Sequence, residues 1–278
     1  MKIKILGSGG GEGYPALFCG CAHCNAARKA GGKSLRSLSQ TLIDGKLLID
    51  LPADTHMHFM DNGLNLGDIE HLLITHVHDD HYCPNLFSAR GTDFAPVLTY
   101  ENMHVYGNAD VERLFNGYYS LFPIREEIRQ KIVFHTLKPF ESALIGGYAV
   151  TPLKANHAPE QVAFNYIIDD GKSALLYLLD GGYPTEETLS FIIKYPRKYS
   201  CVIADGTMGV NYYVYHMNFQ QNRQLKSQLE SAGKIDAGTK FVISHITHNH
   251  CGLHEEIEEY FKDSRIIISY DGMELENE

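Results

Sequence analysis

Short apolar runs rich in Ile, Leu and Val recur at residues 2–6, 41–43, 47–50, 71–75, 148–153, 163–168, 174–179, 200–204, 240–244 and 266–270, each bounded by Gly, Pro, Asp or Asn. Runs of this length between turn residues predict β-strands. Longer polar-apolar segments fall between them. Residues 218–232 are expected to be helical, with Leu225 and Leu229 one turn apart and Gly233 as a stop. The same holds for 186–194 after Pro184-Thr185, and for 253–261 with acids in its first turn. Strands outnumber helices, which predicts an α/β fold. No repeat, low-complexity linker or composition break divides the chain, so residues 1–278 are expected to form a single domain. Segment 82–135 is rich in Phe and Tyr and is expected to be an insertion or lid near the site, its alternative being a surface layer with a small core of its own.

Composition narrows the class. At 44% hydrophobic and with no run long enough to span a bilayer, the chain can bury a sizeable core without a membrane. Its first residues, Met1 to Gly9, read as a strand running into a glycine loop rather than a signal peptide, which places the protein in the cytoplasm. The formal charge of -10, from 24 Lys+Arg against 34 Asp+Glu, repels long nucleic acid but leaves a small anionic substrate open.

The chemistry concentrates at the end of the run 71–75. His76 and His78 stand two apart on an extended segment and so point the same way, with Val77 facing the core. Asp80 and His81 follow, placed to reach a second cation once the chain turns. Mixed nitrogen and carboxylate donors suit Zn, Mn or Fe rather than Ca. Four neighbouring residues cannot close two sites, so further ligands must come from the ends of other strands. His157 after 148–153, Asp180 after 174–179 and His245 after 240–244 are so placed. A lone His at a strand end is more often structural than a ligand, but here the three follow apolar runs as His76 does, which sets them on one rim of a sheet. His56, His58, His71, His104, His135 and His254 lack that placement and read as structural or surface residues.

Six cysteines in a chain of this size are too sparse for a disulfide scaffold, and three of them, Cys19, Cys21 and Cys24, crowd into six residues, apt for a structural zinc. A fourth ligand is open among His248, His250 and Cys251, with His23 turned away by its neighbours. The glycines from Gly7 to Gly13 lack the Gly-Lys-Ser/Thr ending of a phosphate-binding P-loop, and a tight turn accounts for them better.

The His-x-His-x-Asp-His motif at 76–81 resembles the metallo-β-lactamase superfamily. Within it, the Gly7-Ser8-Gly9-Gly10 loop, the cysteine cluster and Tyr270-Asp271-Gly272-Met273-Glu274 resemble the PhnP-type phosphodiesterases. The resemblance covers most of the chain outside 82–135. It implies a four-layer αββα sandwich carrying two transition-metal ions (Zn or Mn). One ion would sit on His76, His78 and His157, the other on Asp80, His81 and His245, with Asp180 between them. It also selects His248 as the fourth ligand of the structural Zn, and sets His216, with Asp80, among the catalytic residues; a helix-entry His bonded to backbone is the competing reading of His216. The implied reaction is hydrolysis of a small cyclic phosphodiester such as a 5-phosphoribosyl 1,2-cyclic phosphate, by a water activated between the metals. The expected partner is that small phosphorylated substrate, with no long nucleic acid and no membrane, and a homodimer is open. Two departures bear on substrate: Gly181-Gly182 follow Asp180 where relatives place a hydroxyl residue, and Leu51-Pro52 replaces a small pair. The competing readings are a tRNA 3′-processing nuclease, for which 82–135 offers Arg113, Arg125, Arg129 and Lys131 against several acids, and a non-catalytic metal-containing carrier protein of cofactor biosynthesis.

Overall fold

The computed structural model describes residues 1–276. Fourteen strands, numbered in chain order, build two sheets of seven. The first sheet holds β1 (Lys2–Gly7), β2 (Gln40–Ile43), β3 (Leu47–Ile49), β4 (His71–Leu73), β5 (Met103–Gly107) and β6 (Ile132–Thr136), with the final strand β14 (Met273–Glu276) on the edge beside β1. The second runs in spatial order from β7 (Ala143–Ile145) through β8 (Tyr148–Lys154), β9 (Phe164–Asp169), β10 (Ala174–Leu178), β11 (Tyr199–Asp205) and β12 (Lys240–Ser244) to β13 (Ile266–Ile268). In each sheet four successive strands are parallel, β3 to β6 in one and β10 to β13 in the other.

Side chains alternate across a strand, so a run that is apolar at every position must be covered on both faces. In β11, Cys201 and Ile203 point between the sheets, where they meet Ile3, Ile49 and Leu73 of the first sheet. Val202 and Ala204 point outward onto helices α5 (Glu186–Lys194), α6 (Phe219–Ser231) and α7 (His254–Phe261), through Ile192, Leu225, Leu229, Ile257 and Phe261. On the other side Leu48, Leu72 and Val105 are covered by Phe59 and by Val111, Phe115 and Tyr119 of the helix Ala109–Leu121. The layers are therefore helix, sheet, sheet, helix, as expected. Helix α6 starts where Asn218 and Gln221 form a reciprocal capping box, so the chain preceding it is fixed in direction.

Segment 82–135 corrects the expectation of a lid. It supplies β5 and β6, hydrogen-bonded in parallel beside β4, and the helix Ala109–Leu121 that covers them. Its Phe and Tyr residues are the apolar side of that layer: Phe87, Phe115 and Tyr119 are buried against Leu72 and Ile74.

Candidate metal centre

The parallel strands of both sheets release their C-terminal ends toward one rim, where open α/β sheets gather function. Asp50 follows β3, His76 follows β4, Asp180 follows β10, Asp205 ends β11 and His245 follows β12. Asp50 and His245 have φ of 68° and 60°, the left-handed region that non-glycine residues seldom adopt. These two turns end their strands abruptly at the rim. The glycine loop comes equally close: a Cβ on Gly10 would stand 2.6 Å from Thr247 Cγ2, and one on Gly7 1.9 Å from the Leu38 carbonyl oxygen. Close approach is thus what requires glycine there.

Two donor groups carry the expected ligands, and a third, overlapping the second, joins Asp180 and His245 to Asp205 and His216. Nitrogens of His76, His78 and His157 converge, with His76 Nε2 2.9 Å and His157 Nε2 3.3 Å from His78 Nδ1. Asp80, His81, Asp180 and His245 form the second group, their donor atoms all within 4.8 Å of one another. Asp180 Oδ2 lies 3.5 Å from His81 Nε2 and 3.7 Å from His157 Nε2, between the groups. His216 stands at the edge, its ring 5.9 Å from that of His245 and nearly parallel to it. All eight residues expected from sequence are therefore gathered at one place.

The surroundings settle which atoms are free. His81 Nδ1 donates to Asp50 Oδ2 at 2.7 Å, and Asp50 also accepts from the Thr75 amide and hydroxyl at 2.8–3.0 Å. His157 Nδ1 faces the Tyr215 carbonyl at 3.2 Å, and His245 Nδ1 the Thr207 hydroxyl at 2.8 Å. With one ring nitrogen so engaged, the other offers its lone pair. Among the described residues, His81 Nε2 and His245 Nε2 are buried yet have no hydrogen-bond partner. Buried polar atoms left without partners are costly, and a cation satisfies both.

Charge is shared within the second group. Against burial, Asp80 and Asp50 hold His81 well above the usual imidazole range and Asp180 raises His245. These two rings in turn outweigh burial at Asp80 and hold its carboxyl well below the usual carboxylate range; a cation at the two Nε2 atoms would take the place of the protons there. Asp180 is held low in the same way by His245 and His216. Burial pushes His76 well down and lowers His157, which keeps those rings neutral and able to donate to a metal. At His216 burial is outweighed by Asp205 and Asp180, and its value rises to about 11. Its Nδ1 lies 2.9 Å from Asp205 Oδ2 and 3.4 Å from Asp180 Oδ1.

Asp50, Thr75, Asp205 and Thr207 were not expected from sequence. The signal was available, since Asp50 and Asp205 end apolar runs as Asp180 does, but an acid at a strand end is also an ordinary turn residue.

The cysteine cluster assembles beside this rim. Sulfurs of Cys19, Cys21 and Cys24 and a nitrogen of His248 lie within 4.8 Å of one another, with Cys21 Sγ 3.5 Å from His248 Nδ1. Helix α1 (Ala22–Ala30) begins on the knuckle, the Cys24 amide donating to Cys21 Sγ. That bond and His248 lower the Cys21 thiol to about 6. His23 instead binds the His248 carbonyl, His250 faces Asn211 and Cys251 is buried against the Gly206 carbonyl. All six cysteines are free.

A cavity of about 540 Å³ opens beside His157. A second, of about 530 Å³, between residues 55–67 and 86–98, shares no residue with either donor group. Among the described residues no helix is long and apolar enough to cross a membrane.

A family model described as a beta-lactamase superfamily domain matches residues 46–246. No curated protein matches the sequence. Among solved structures, a diphosphatase of the PhnP family is 20% identical with a TM-score of 0.75, over 100% of this chain and 98% of that one. Zn(2+)-bound PqqB from Methylobacterium extorquens is 18% identical with a TM-score of 0.75, over 99% and 100%. The short form of human tRNase Z is 15% identical with a TM-score of 0.69, over 100% of both chains. At these identities the likeness is one of fold. The chain belongs to the β-lactamase superfamily, with the αββα sandwich of the metallo-β-lactamase fold.

Proposed function

We propose that the protein is a dinuclear metal-dependent hydrolase of small phosphodiesters. The observation that carries this is the pair of donor groups sharing Asp180. In this reading His76, His78 and His157 hold one transition metal, Zn or Mn, and Asp80, His81 and His245 hold another, with Asp180 available to both. Cys19, Cys21, Cys24 and His248 hold a structural Zn that ties the N-terminal loop to the loop after β12. When bound, two such cations acidify a shared water and offset the charge of a phosphodiester.

The chain's own residues do the rest. Asp50 fixes the His81 tautomer, and the Tyr215 carbonyl does the same for His157. Asp205 holds His216 by Nδ1 and favours its protonated form, so His216 is placed to give a proton to the departing alkoxide. The side chain of His78 is 40% exposed, which leaves the first donor group open to substrate on that side.

The substrate class rests on family likeness for a small diester, cyclic ones included, and on the net charge of -10 against long nucleic acid. Among the structural relatives, the PhnP-family diphosphatase supports phosphate chemistry most directly. The experiment is turnover of bis-p-nitrophenyl phosphate by metal-free, Zn-loaded and Mn-loaded protein beside a thioester panel. Metal-dependent cleavage of the diester is expected. Two bound metals with neither activity would instead favour a non-catalytic carrier.

A further inference from the structure

Resting on the phosphodiesterase reading, we propose that the strap of residues 210–216 selects diesters whose leaving arm is a flat, uncharged aromatic ring, with Tyr213 as its stacking platform. The strap is tied to the centre itself. The Val214 carbonyl accepts from Asn156 Nδ2 at 3.0 Å, the Tyr215 carbonyl faces His157 Nδ1 at 3.2 Å, and the Met217 amide donates to the Gly181 carbonyl at 3.0 Å. Tyr213 and His216 pair across the strap as an isolated antiparallel bridge.

Its side chains nevertheless face water. Val210, Tyr212, Tyr213 and Val214 are 69%, 71%, 48% and 44% exposed. Adjacent large apolar side chains held in solvent by a fixed backbone are a recognition surface rather than an accident of folding. The Tyr213 ring lies 6.2 Å from the His216 ring at an angle of 24°, and Tyr215 meets Tyr213 edge-on at 5.6 Å and 82°. One face of Tyr213 is thereby set near the group that protonates the leaving oxygen, and a planar arm stacked there keeps its ester oxygen within reach of His216.

Charge around the opening decides what the arm may carry. Glu160 lies 3.1 Å from His78, and Glu186 and Glu187 line the cavity beside His157. Lys154 is the one Lys or Arg among the residues lining that cavity, and its ammonium is 2.9 Å from Glu187. An arm with a second phosphate meets carboxylates without a free cation, so a 5-phosphorylated sugar is the poorer member of the substrate class.

Calorimetry on the metal-loaded protein tests this without turnover, using phenyl phosphate, methyl phosphate and 4-carboxyphenyl phosphate as probes. Phenyl phosphate is expected to bind roughly ten-fold tighter than methyl phosphate, the scale of one stacked ring. The carboxylated probe should bind more weakly than phenyl phosphate. Tyr213→Ala should bring the phenyl-to-methyl ratio toward one, and Tyr213→Phe should retain it. Equal binding of the two by the unsubstituted protein overturns the inference, as does a ratio preserved in a folded, metal-replete Tyr213→Ala. Absent turnover of bis-p-nitrophenyl phosphate overturns the reaction instead, and leaves the calorimetric ring selectivity standing.

Discussion

Replacing Asp50 by Asn separates the two donor groups energetically. Asp50 is fully buried and has φ of 68°, a conformation Asn tolerates better than most residues, so the backbone has little reason to move. The carboxylate accepts His81 Nδ1–H at 2.7 Å and the Thr75 amide and hydroxyl. An amide has one acceptor oxygen. If it keeps the Thr75 bonds, its NH₂ faces His81 Nδ1, which must then become the acceptor while the proton moves to Nε2. That is the nitrogen offered to the second metal. Loss of such an orienting partner weakens metal binding by about 10- to 100-fold, or roughly 1.4–2.7 kcal/mol. The loss should fall on the ion beside His81 and spare the one on His76, His78 and His157. Competition with a graded series of chelators measures both affinities, and thermal unfolding of the metal-free forms separates folding from binding. Two metals held at unchanged affinity by Asp50→Asn would refute the tautomer argument.

His216→Ala should keep both metals and lose about 10²- to 10⁴-fold in diester turnover, because it removes a proton donor and no ligand; metal-replete variant at full rate would remove that role. Cys21→Ser with Cys24→Ser should lower the metal content by about one ion per chain and the unfolding temperature by roughly 10 °C, read by elemental analysis and calorimetry. Gly182→Ala places a Cβ 2.0 Å from the Val214 carbonyl oxygen, so the strap must shift. A cost of about 1–3 kcal/mol is expected in denaturant unfolding, together with reduced preference for phenyl over methyl phosphate.

What could be read from the sequence was what chain neighbours encode. His76 to His81 specify their geometry by spacing alone, and each of the ten apolar runs is a strand because Ile, Leu and Val at consecutive positions demand cover on both faces. The helix after Asn218 announced itself through Leu225 and Leu229 one turn apart and Gly233 as a stop. Strands β5 and β6 were hidden because His104, Tyr106 and His135 interrupt the apolar pattern; His104 Nδ1 meets His135 Nε2 at 2.9 Å, and the Tyr106 hydroxyl meets His71 Nδ1 at 3.3 Å. Helix α1 was masked by the cysteines at its start, although Ala26, Ala27 and Ala30 favour helix. Asp205 could not be linked to His216 from sequence, since their 2.9 Å contact depends on how the strap folds back over β11.

The central claim is that Asp180 lies between two metals, and elemental analysis of the protein dialysed against metal-free buffer, beside Asp180→Ala, tests it most directly. The expected result is about three ions per chain, two at the centre and one at the cysteines, with a clear drop in the folded variant. A centre that takes up a single ion, or an Asp180→Ala protein that holds the full complement, would contradict it.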